Sequence, residues 1–239
     1  MSPLHAHASD RGCVRENNED HVRVVPERGL YVVADGMGGH VGGEVASALA
    51  VSHLVESVCA RPRPRRLAEE AALLGEACLS ANQAVLREAT TRALHGMGTT
   101  LTAVLVRGRS VTVAHVGDSR AYFVKPHSLQ AITRDHTIVA LLVENGMLGA
   151  EEAHTHPDRH VLTQALGTSE TIEPDIFQLR IPRDTRLLLS SDGLHDVVSS
   201  ERIHELARGP DLEQAAAALI DAARQSGGPD NITVVLVEP

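Results

Sequence analysis

Short apolar runs of the kind that form β-strands occur throughout this sequence, and they constrain its fold more than any other feature. Each run is rich in Val, Leu and Ile and is bounded by Gly, Asp or Pro, as strands usually are. The runs are Val22–Val25, Leu30–Ala34, Thr99–Val106, Val111–Val116, Ala121–Val124, Phe177–Ile181, Arg186–Ser190 and Ile232–Val237. They predict a protein whose core contains β-sheets.

Helical segments separate these runs without a regular alternation. Apolar residues at helical spacing, together with a content rich in Ala, Leu and Glu, predict two long helices, and three shorter ones follow. The segments are Glu44–Cys59, Leu67–Thr90, Thr137–Asn145, Ser200–Ala207 and Asp211–Gln225. This order favours an α+β fold with largely antiparallel sheets and helices packed outside them. Residues 146–170 are polar and lack a pattern, and a loop of this length is often functional.

Charge and aromatic content limit the class of partner. A net charge of −9 with 2% aromatic residues argues against nucleic acid, because nucleic-acid binders usually carry a basic face and stacking aromatics. The acidic excess is compatible with a site that gathers carboxylates for cations, although solubility is the simpler explanation. The basic run Arg61–Arg66 joins the two long helices. It is either a binding patch or, more simply, a solvated connection.

The sequence predicts neither a membrane partner nor an oxidising compartment. Its apolar runs fall well short of the roughly 20 residues that a membrane helix needs, and Met1 to Asp10 contain no apolar signal segment. Cys13, Cys59 and Cys78 are an odd number without C-x-x-C spacing, so we expect no disulfide framework and no zinc site. These features predict a cytoplasmic location.

Acidic residues adjoin the strand runs at several points. They are Glu19-Asp20 before Val22–Val25, Asp35 after Leu30–Ala34, Asp118 after Val111–Val116, Asp192 after Arg186–Ser190, and Asp230 before Ile232–Val237. If these sheet edges converge, the carboxylates face one another at a cost that only cations can remove. Mg²⁺ and Mn²⁺ prefer such oxygen ligands, and two ions can activate a water and stabilise a reacting phosphoryl group.

Each acidic position also has a simpler explanation. Asp-Gly is a common turn, and Gly117-Asp118-Ser119 between two strands is equally compatible with a plain hairpin. Asp35-Gly36 differs, because a glycine-rich run up to Gly43 follows it, and this predicts a backbone that approaches something closely. The run matches no nucleotide-binding fingerprint. Asp35 would repel a phosphate there unless a metal intervened.

A set of short motifs occurs in one order along nearly the whole chain. The motifs are Arg15-Glu16-Asn17-Asn18-Glu19-Asp20, Val33-Ala34-Asp35-Gly36-Met37-Gly38-Gly39, Gly98-Thr99-Thr100, Val116-Gly117-Asp118-Ser119-Arg120, Thr133-Arg134-Asp135-His136, Leu162-Thr163-Gln164-Ala165-Leu166-Gly167, Ser190-Ser191-Asp192-Gly193-Leu194 and Gly228-Pro229-Asp230-Asn231-Ile232-Thr233. Together they resemble the metal-dependent type 2C protein phosphatase family. The resemblance implies one catalytic domain over residues 1–239. It also implies a central β-sandwich of two antiparallel sheets flanked by helices, with a metal site at one end.

The resemblance implies two divalent cations, Mg²⁺ or Mn²⁺, and a third that binds more weakly. The ligands it implies are Glu19, Asp20, Asp35, Gly36, Asp118, Asp192 and Asp230. Asp35 would bridge both metals, with the Gly36 carbonyl on one of them, while Asp192 and Asp230 would hold the other. Asp118 corresponds to the ligand of the third metal. Glu19 and Asp20 correspond to an acidic pair that contacts metal directly or through water.

The implied activity is hydrolysis of phosphoserine and phosphothreonine on proteins by a hydroxide that bridges the metals. Arg15 corresponds to the guanidinium that grips the substrate phosphate, which suits its planar donor geometry. Arg15, Asp35 and Asp192 are the implied catalytic residues. The implied partners are phosphorylated proteins and a Ser/Thr protein kinase whose signalling the enzyme would reverse, and a monomer is expected.

The sequence departs from the family pattern at two positions. Met37 occupies the place where some members carry a histidine as general acid. His40 or a metal-bound water could replace that acid, although a surface histidine is the simpler interpretation of His40. Gln164 stands where many bacterial members have arginine, which puts a role beside the phosphate in question. Residues 140–165 correspond roughly to a variable flap beside the cleft.

Two other functions are compatible with the same fold. A catalytically silent signalling module would bind a phosphoprotein or kinase, but it would be expected to lack metal ligands, and Asp35, Asp118, Asp192 and Asp230 are all present. The second alternative is a phosphatase dedicated to one small partner, such as a phosphorylated anti-sigma-factor antagonist. A substrate screen would separate it from a general phosphatase.

Overall fold

The computed structural model describes residues 3–38, 41–94 and 96–239, and its strands form two antiparallel sheets. The strands are β1 (Leu4–Asp10), β2 (Asp20–Val25), β3 (Leu30–Met37), β4 (Gly98–Thr99), β5 (Leu101–Arg107), β6 (Ser110–Val116), β7 (Arg120–Val124), β8 (Leu129–Ala131), β9 (Asp175–Arg180), β10 (Arg186–Ser190) and β11 (Ile232–Glu238). The five-stranded sheet has the order β1-β11-β10-β7-β8. The six-stranded sheet has the order β2-β3-β5-β6-β9, with β4 paired to β3.

Helices pack against the outer faces of both sheets. The helices of the described chain are α1 (Val41–Cys59), α2 (Leu67–Arg92), α3 (Ile138–Glu144), α4 (Ala150–Ala153), α5 (Asp192–His195), α6 (Ser200–Ala207) and α7 (Leu212–Gln225). The long helices α1 and α2 share a buried apolar cluster with β3, β5 and β6. Helices α6 and α7 share a second cluster with β10 and β11. The architecture is therefore helix, sheet, sheet, helix.

Alternation along the central strands builds this layered core. In β3, Tyr31 and Val33 point into the cluster between the two sheets. Leu30 and Val32 point the other way, towards α1 and α2. Successive side chains of a strand face opposite sides, so a strand that is covered on both sides reads as a continuous apolar run. This explains why the strand runs of the sequence are apolar without a gap.

The predicted α+β sandwich with flanking helices is confirmed, and each predicted strand run and helix is present with small shifts of its ends. The predicted run Thr99–Val106 forms two strands, because Thr100 turns its amide to the Asp35 carbonyl at 2.8 Å. This bend carries the chain past the end of β3, where the acidic residues lie.

The sequence analysis did not predict β1, β8, α4 or α5. Strand β1 buries only Ala6, so it has little apolar pattern, and its seven register pairs with β11 hold it in place. Helix α5 begins at Asp192-Gly193, which has the sequence of a turn. Within the described ranges, no helix combines the length and the apolar character that crossing a bilayer would require.

Candidate metal centre

A cleft of about 800 Å³ opens at the end of the sandwich where β3, β6 and β10 finish and β2 and β11 begin. Residues predicted to form the functional site line it together: Arg15, Glu19, Asp35, Gly36, Asp118, Asp192 and Asp230. The remaining predicted ligand, Asp20, is buried behind this lining at 7% exposure. The predicted convergence of the acidic strand ends is therefore what the structure shows.

The β2–β3 pair brings the first two carboxylates together. Their antiparallel register places Asp20 opposite Asp35. The Asp35 backbone is held on both sides, since its amide donates to Thr100 Oγ1 at 2.9 Å and its carbonyl accepts from the Thr99 hydroxyl at 2.9 Å. Asp35 is therefore fixed in the sheet, with its side chain at the mouth of the cleft.

Strands β10 and β11 bring the next carboxylate beside this pair. Ser191 precedes α5, and its hydroxyl donates to Asp20 Oδ2 at 2.7 Å while accepting the Thr233 amide at 2.9 Å. One hydroxyl thus joins the β10 end, the β11 start and the β2 carboxylate. The neighbouring Asp192 begins α5 and projects into the cleft.

Asn231 organises the opposite wall of the cleft, and the sequence analysis gave it no role. Its side-chain oxygen accepts the Glu19 amide at 2.7 Å, and its amide group donates to the carbonyls of Arg11 at 3.0 Å and Asn17 at 2.9 Å. Asn231 thereby ties the loop that carries Arg15 to the start of β11. Its family motif was visible in the sequence, but its three partners were not.

Arg15 lies at the rim of the cleft and pairs with a carboxylate. Its Nη2 is 2.7 Å from Asp230 Oδ2, and its side chain is 54% exposed. The hydrogen bond to Asp230 raises the pKa of Arg15, so its charge is retained at any working pH. A guanidinium that is half in solvent, with donors left over, can reach an anion in the cleft.

Asp118 follows Gly117, which adopts a left-handed backbone conformation that favours glycine. Gly117 has φ of +103°, and a side chain there would meet Thr100 at 2.6 Å. Thr100 and Ser119 share a hydrogen bond of 2.7 Å between their hydroxyls, which joins the chain near Asp35 to the chain after Asp118. Gly117-Asp118-Ser119 is not the hairpin that the sequence also allowed, because β6 and β7 lie in different sheets. The segment connects the two sheets and delivers a buried carboxylate to the cleft.

The shifted pKa values of these carboxylates show that they are buried close to one another and that their mutual repulsion is not offset. Burial raises the pKa of Asp20 to about 6 and that of Asp118 to about 7. Burial also raises the pKa of Asp35 and Asp192 well above the ordinary value, and repulsion adds to it, from Asp20 at Asp35 and from Asp118 at Asp192. A group of protein oxygens arranged in this way disfavours its own charge and favours a bound cation.

Two observations show that the site fits divalent cations. Asp20 Oδ1 and Asp192 Oδ1 are buried and accept no hydrogen bond from the described residues. The backbone also packs closely around the carboxylates, since a side chain at Gly36 would lie 2.1 Å from the Gly43 carbonyl and one at Gly193 would lie 2.0 Å from the Asn231 carbonyl. Carboxylate and carbonyl oxygens in a rigid cradle are the donor set that Mg²⁺ and Mn²⁺ use.

Arg159, His160 and Asp196 are further polar residues of the cleft lining, and none of them had a predicted role. His160 Nδ1 lies 3.4 Å from Asp196 Oδ2 and 3.9 Å from Asp192 Oδ2, and Arg159 lines the same cleft from the predicted flap. Three groups, His160, Asp192 and Asp196, bring ligand atoms within 4.8 Å of one another. Asp196 is the residue that follows α5, four positions after Asp192, so the short helix places the two carboxylates on one side.

The departures from the family pattern fall at different places in the structure. Met37 lies at the end of β3 beside Gly98 and lines the cleft. Gln164 does not appear in the cleft lining; its Oε1 accepts the Glu173 amide at 2.9 Å, and it borders a separate small pocket with Arg134 and Asp175. His40, the other candidate acid, lies outside the described residues.

Comparison with known proteins decides the family. A model of the family described as "Protein phosphatase 2C" matches residues 13–236. The chain belongs to the protein phosphatase 2C family. The predicted resemblance is thus confirmed over nearly the whole sequence.

Relatives in the protein phosphatase 2C family agree in sequence and in fold. The serine/threonine protein phosphatase PstP of Mycobacterium tuberculosis (strain CDC 1551 / Oshkosh) is 42% identical over 235 residues, covering 98% of this chain and 44% of PstP. The chain therefore spans less than half of that relative's length. The serine/threonine phosphatase stp of Listeria monocytogenes serotype 4b is 37% identical over 235 residues, covering 96% of this chain and 93% of stp.

A solved member of the protein phosphatase 2C family carries metal. The catalytic domain of PstP, solved in complex with two manganese ions, has a TM-score of 0.88 and 39% identity, covering 99% of this chain and 98% of that one. The two folds correspond over essentially their full length. A carboxylate cleft that fits divalent cations in this chain is consistent with the manganese in that structure.

Proposed function

We propose that this protein hydrolyses phosphoserine and phosphothreonine on other proteins, with two divalent cations, Mg²⁺ or Mn²⁺, as cofactors. The observation that carries the proposal is the convergence of buried carboxylates, two of which keep an oxygen without a hydrogen-bond partner among the described residues. The family membership and the names of the relatives support the reaction class.

The chain's own oxygens supply the cation sites in this proposal. Asp35 is central, since it faces Asp20 across the β2–β3 register and repulsion from Asp192 reaches it. Asp192 and Asp230 lie on the β10 and β11 side, and Asp118, which lines the same cleft, would hold a weaker third ion. Glu19, Asp20 and the Gly36 carbonyl complete the proposed donor set. When bound, the cations would lower the pKa of an attacking water and neutralise charge on the phosphoryl group.

Arg15 orients the substrate in this proposal. Its guanidinium points at Asp230 across the rim of the cleft and keeps further N–H donors for an anion. A planar fork suits two oxygens of a phosphate monoester, which would fix the phosphorus for in-line attack. Asp230 restrains Arg15 on one side, so the side chain loses little freedom when the phosphate arrives.

The partners follow from the reaction. The substrates would be phosphorylated proteins, and a Ser/Thr protein kinase would supply them. We propose a cytoplasmic monomer whose residues 1–239 act as one catalytic domain, with residues 140–165 as the flap. Arg159 and His160 on that segment line the cleft, so the flap is positioned to contact whatever surrounds the phosphorylated residue.

Hydrolysis of a phosphothreonine peptide and of p-nitrophenyl phosphate tests the proposal. We expect turnover with added Mn²⁺ and none with EDTA. Asp192→Asn should lower kcat at least 100-fold in a protein that still unfolds cooperatively, because this position faces the cation site. A folded wild-type protein that is inactive with every divalent cation would instead favour a silent binding module.

Arg15→Ala separates substrate binding from chemistry. We expect KM for the phosphothreonine peptide to rise more than kcat falls, since the guanidinium is proposed to grip the phosphate before and during the reaction. Arg87 is an exposed arginine on α2 that donates to the Gln83 carbonyl and forms no ion pair with any residue the structure describes, so Arg87→Ala is a matched control. An unchanged KM in Arg15→Ala would remove Arg15 from phosphate binding.

A further inference from the structure

The end of the sandwich opposite the cleft is rich in arginine. Strand β10 shows the polarity, because it starts at Arg186 and Asp192 follows its last residue. At about 3.3 Å per residue, these two positions are about 20 Å apart along the strand. The β5–β6 turn also lies at the arginine end, with Arg107 and Arg109, and β9 finishes there at Arg180.

A recess of about 400 Å³ lies at this end. Four arginines line it: Arg109, Arg183, Arg186 and Arg208. They come from the β5–β6 turn, the β9–β10 connection, the start of β10 and the end of α6. Arg109, Arg183 and Arg208 are exposed, whereas Arg186 is 9% exposed. The fold thus gathers guanidiniums that are far apart in sequence around one hollow.

Backbone carbonyls hold two of these side chains and leave their charge uncompensated. Arg109 donates from Nε and Nη2 to the Ile181 carbonyl, at 3.2 and 2.7 Å. Arg208 Nη1 donates to the Asp184 carbonyl at 3.1 Å. A carbonyl fixes a guanidinium without neutralising it, and each keeps further N–H donors.

Ion pairing in the recess is confined to one arginine. Arg186 pairs with Glu238, Nε to Oε2 at 2.8 Å, and it also donates to the Ala207 and Gly209 carbonyls. Among the described residues, no ion pair involves Arg109, Arg183 or Arg208. The Asp184 carboxylate lines the recess as the other acidic group. Four guanidiniums face the side-chain carboxylates of Asp184 and Glu238, so the side chains that line this recess carry a net positive charge in a chain whose overall charge is −9.

The positive surface continues beyond the recess. Arg109 and Arg180 also border a shallower hollow with Gln178. Arg63 of the α1–α2 connection donates to the Val106 carbonyl at 3.2 Å, while Arg61 of the same connection pairs with Glu76. The basic run Arg61–Arg66, for which the sequence left a binding patch and a solvated connection open, therefore lies at the same end of the molecule.

We propose that the recess lined by Arg109, Arg183, Arg186 and Arg208 binds a phosphate monoester on a phosphorylated segment of the partner protein, as a second phosphate site apart from the cleft. Arginine forks match phosphate oxygens in pairs, and a dianion can be held by several forks at once. The identity of the partner as a phosphoprotein rests on the proposed function. The presence of the cationic recess does not depend on the proposed function.

The separation of the two sites sets which phosphoproteins fit. An extended chain spans at most about 3.6 Å per residue, and the path around the sandwich exceeds the strand length of about 20 Å. Two phosphorylated residues on one flexible segment must therefore be more than about six residues apart to occupy both sites. Partners with two distant phosphorylated residues would gain affinity from simultaneous binding.

Peptide binding to the full chain without divalent cations tests the recess separately from catalysis. In EDTA, we would titrate the protein into a fluorescein-labelled phosphoserine peptide and its unphosphorylated form and measure anisotropy. We expect at least tenfold tighter binding of the phosphorylated peptide. The double variant Arg109→Gln/Arg208→Gln should lose this preference, while the Arg87→Gln control keeps it. Thermal melts of each variant verify folding.

Further competition and binding measurements distinguish the source of the phosphate and the class of partner. Inorganic phosphate should compete at least tenfold more weakly than the phosphopeptide; equal competition would identify a free-anion site and overturn the docking proposal. Tighter binding of single-stranded RNA or of vesicles containing anionic lipid would also overturn it, as would loss of peptide binding in Arg15→Ala with binding kept in Arg109→Gln/Arg208→Gln.

Hydrolysis of p-nitrophenyl phosphate separates this proposal from the proposed function. The double variant Arg109→Gln/Arg208→Gln should hydrolyse this small substrate at the wild-type rate with Mn²⁺, because the recess lies at the other end of the sandwich. If wild-type protein bound the phosphopeptide through the recess but hydrolysed nothing, the proposed function would fail and the recess would stand. A double variant that was folded but slow on p-nitrophenyl phosphate would contradict a separate site.

Discussion

At the scale of single residues, the cleft depends on polar side chains that hold the acidic residues in place. Asn231 is 3% exposed and bonds three separate backbone groups, at Glu19, Arg11 and Asn17. Removing the amide would break all three bonds. Because Arg11 and Asn17 are exposed and Glu19 is half-buried, water can replace part of what is lost, so each bond counts at about its net value of roughly 1 kcal/mol.

Replacing Asn231 should therefore destabilise the protein and loosen the cleft. We expect Asn231→Ala to lower the free energy of unfolding by about 3 kcal/mol, at about 1 kcal/mol per lost hydrogen bond, as measured by urea denaturation. Asn145→Ala is the control, since Asn145 is exposed and its side chain donates a local hydrogen bond to the Leu141 carbonyl. Equal stability of the two variants would show that Asn231 does not organise the site.

The buried carboxylates predict how the stability of the metal-free protein depends on pH. Burial raises the pKa of Asp118 from 3.8 to about 7, so between these values the folded state keeps a proton that the unfolded state releases. The stability that this group contributes is therefore lost as the pH rises from about 4 to about 7, at roughly 1.4 kcal/mol for each pH unit.

Asp118→Asn should remove this dependence. In EDTA, we expect the variant to be more stable than the wild type by a few kcal/mol at about pH 8, with the difference vanishing below about pH 4. Urea denaturation across this range measures it. A constant difference between the two proteins at all pH values would contradict the burial of an uncompensated carboxylate at this position.

At the scale of elements, the cleft depends on how closely backbone segments approach one another. Helix α5 begins beside the start of β11, and a side chain at Gly193 would lie 2.0 Å from the Asn231 carbonyl. Only glycine permits this distance, and it places Asp192 beside the other carboxylates. By contrast, Gly75 within α2 has only Ile176 nearby, at 3.8 Å.

These two glycines should respond in opposite directions to the same substitution. Gly193→Ala must separate α5 from β11, so we expect lower stability and at least tenfold weaker Mn²⁺ binding. Gly75→Ala should raise stability by about 0.5–1 kcal/mol, because alanine favours a helix and the space is free. Thermal melts with and without Mn²⁺ measure both effects. Unchanged Mn²⁺ affinity in Gly193→Ala would show that the close approach does not shape the site.

The sequence predicted the strands and the acidic residues at their ends, because strands that are buried on both faces are apolar throughout and end at charged residues. Leu30–Ala34 before Asp35 is the clearest case. It could not predict β1, whose pairing with β11 is a long-range contact, nor α5, whose first residues read as a turn. The three partners of Asn231 were equally invisible, since they lie far from it along the chain.

The roles of the cleft residues could be predicted only in part. Convergence followed from the strand ends, but the ligand set came from the family resemblance and remains a prediction. Asp196, four residues after Asp192 on one helix face, was within reach of the sequence pattern once α5 was known. His160 and Arg159 were not, because a polar segment without periodicity does not indicate which of its side chains turn inwards.

At the scale of the whole molecule, the sandwich separates two charged ends. Strands β6 and β10 lead into Asp118 and Asp192 at the cleft, and at the opposite end β6 follows Arg109 and β10 begins at Arg186. The chain thus combines an overall charge of −9 with a cationic recess. The cleft end lowers the stability of the folded protein more than the arginine end does, because its carboxylates are buried and repel one another. Bound cations would remove that cost and raise stability by mass action.

Isothermal titration calorimetry of Mn²⁺ binding to EDTA-stripped, desalted protein tests the central claim most directly. The carboxylate cleft predicts binding of two ions by the wild type, with at least tenfold weaker or partial binding in Asp192→Asn and unchanged binding in Arg87→Ala. Absence of Mn²⁺ binding by the folded wild type, or wild-type binding by Asp192→Asn, would contradict the assignment of this cleft as a cation centre.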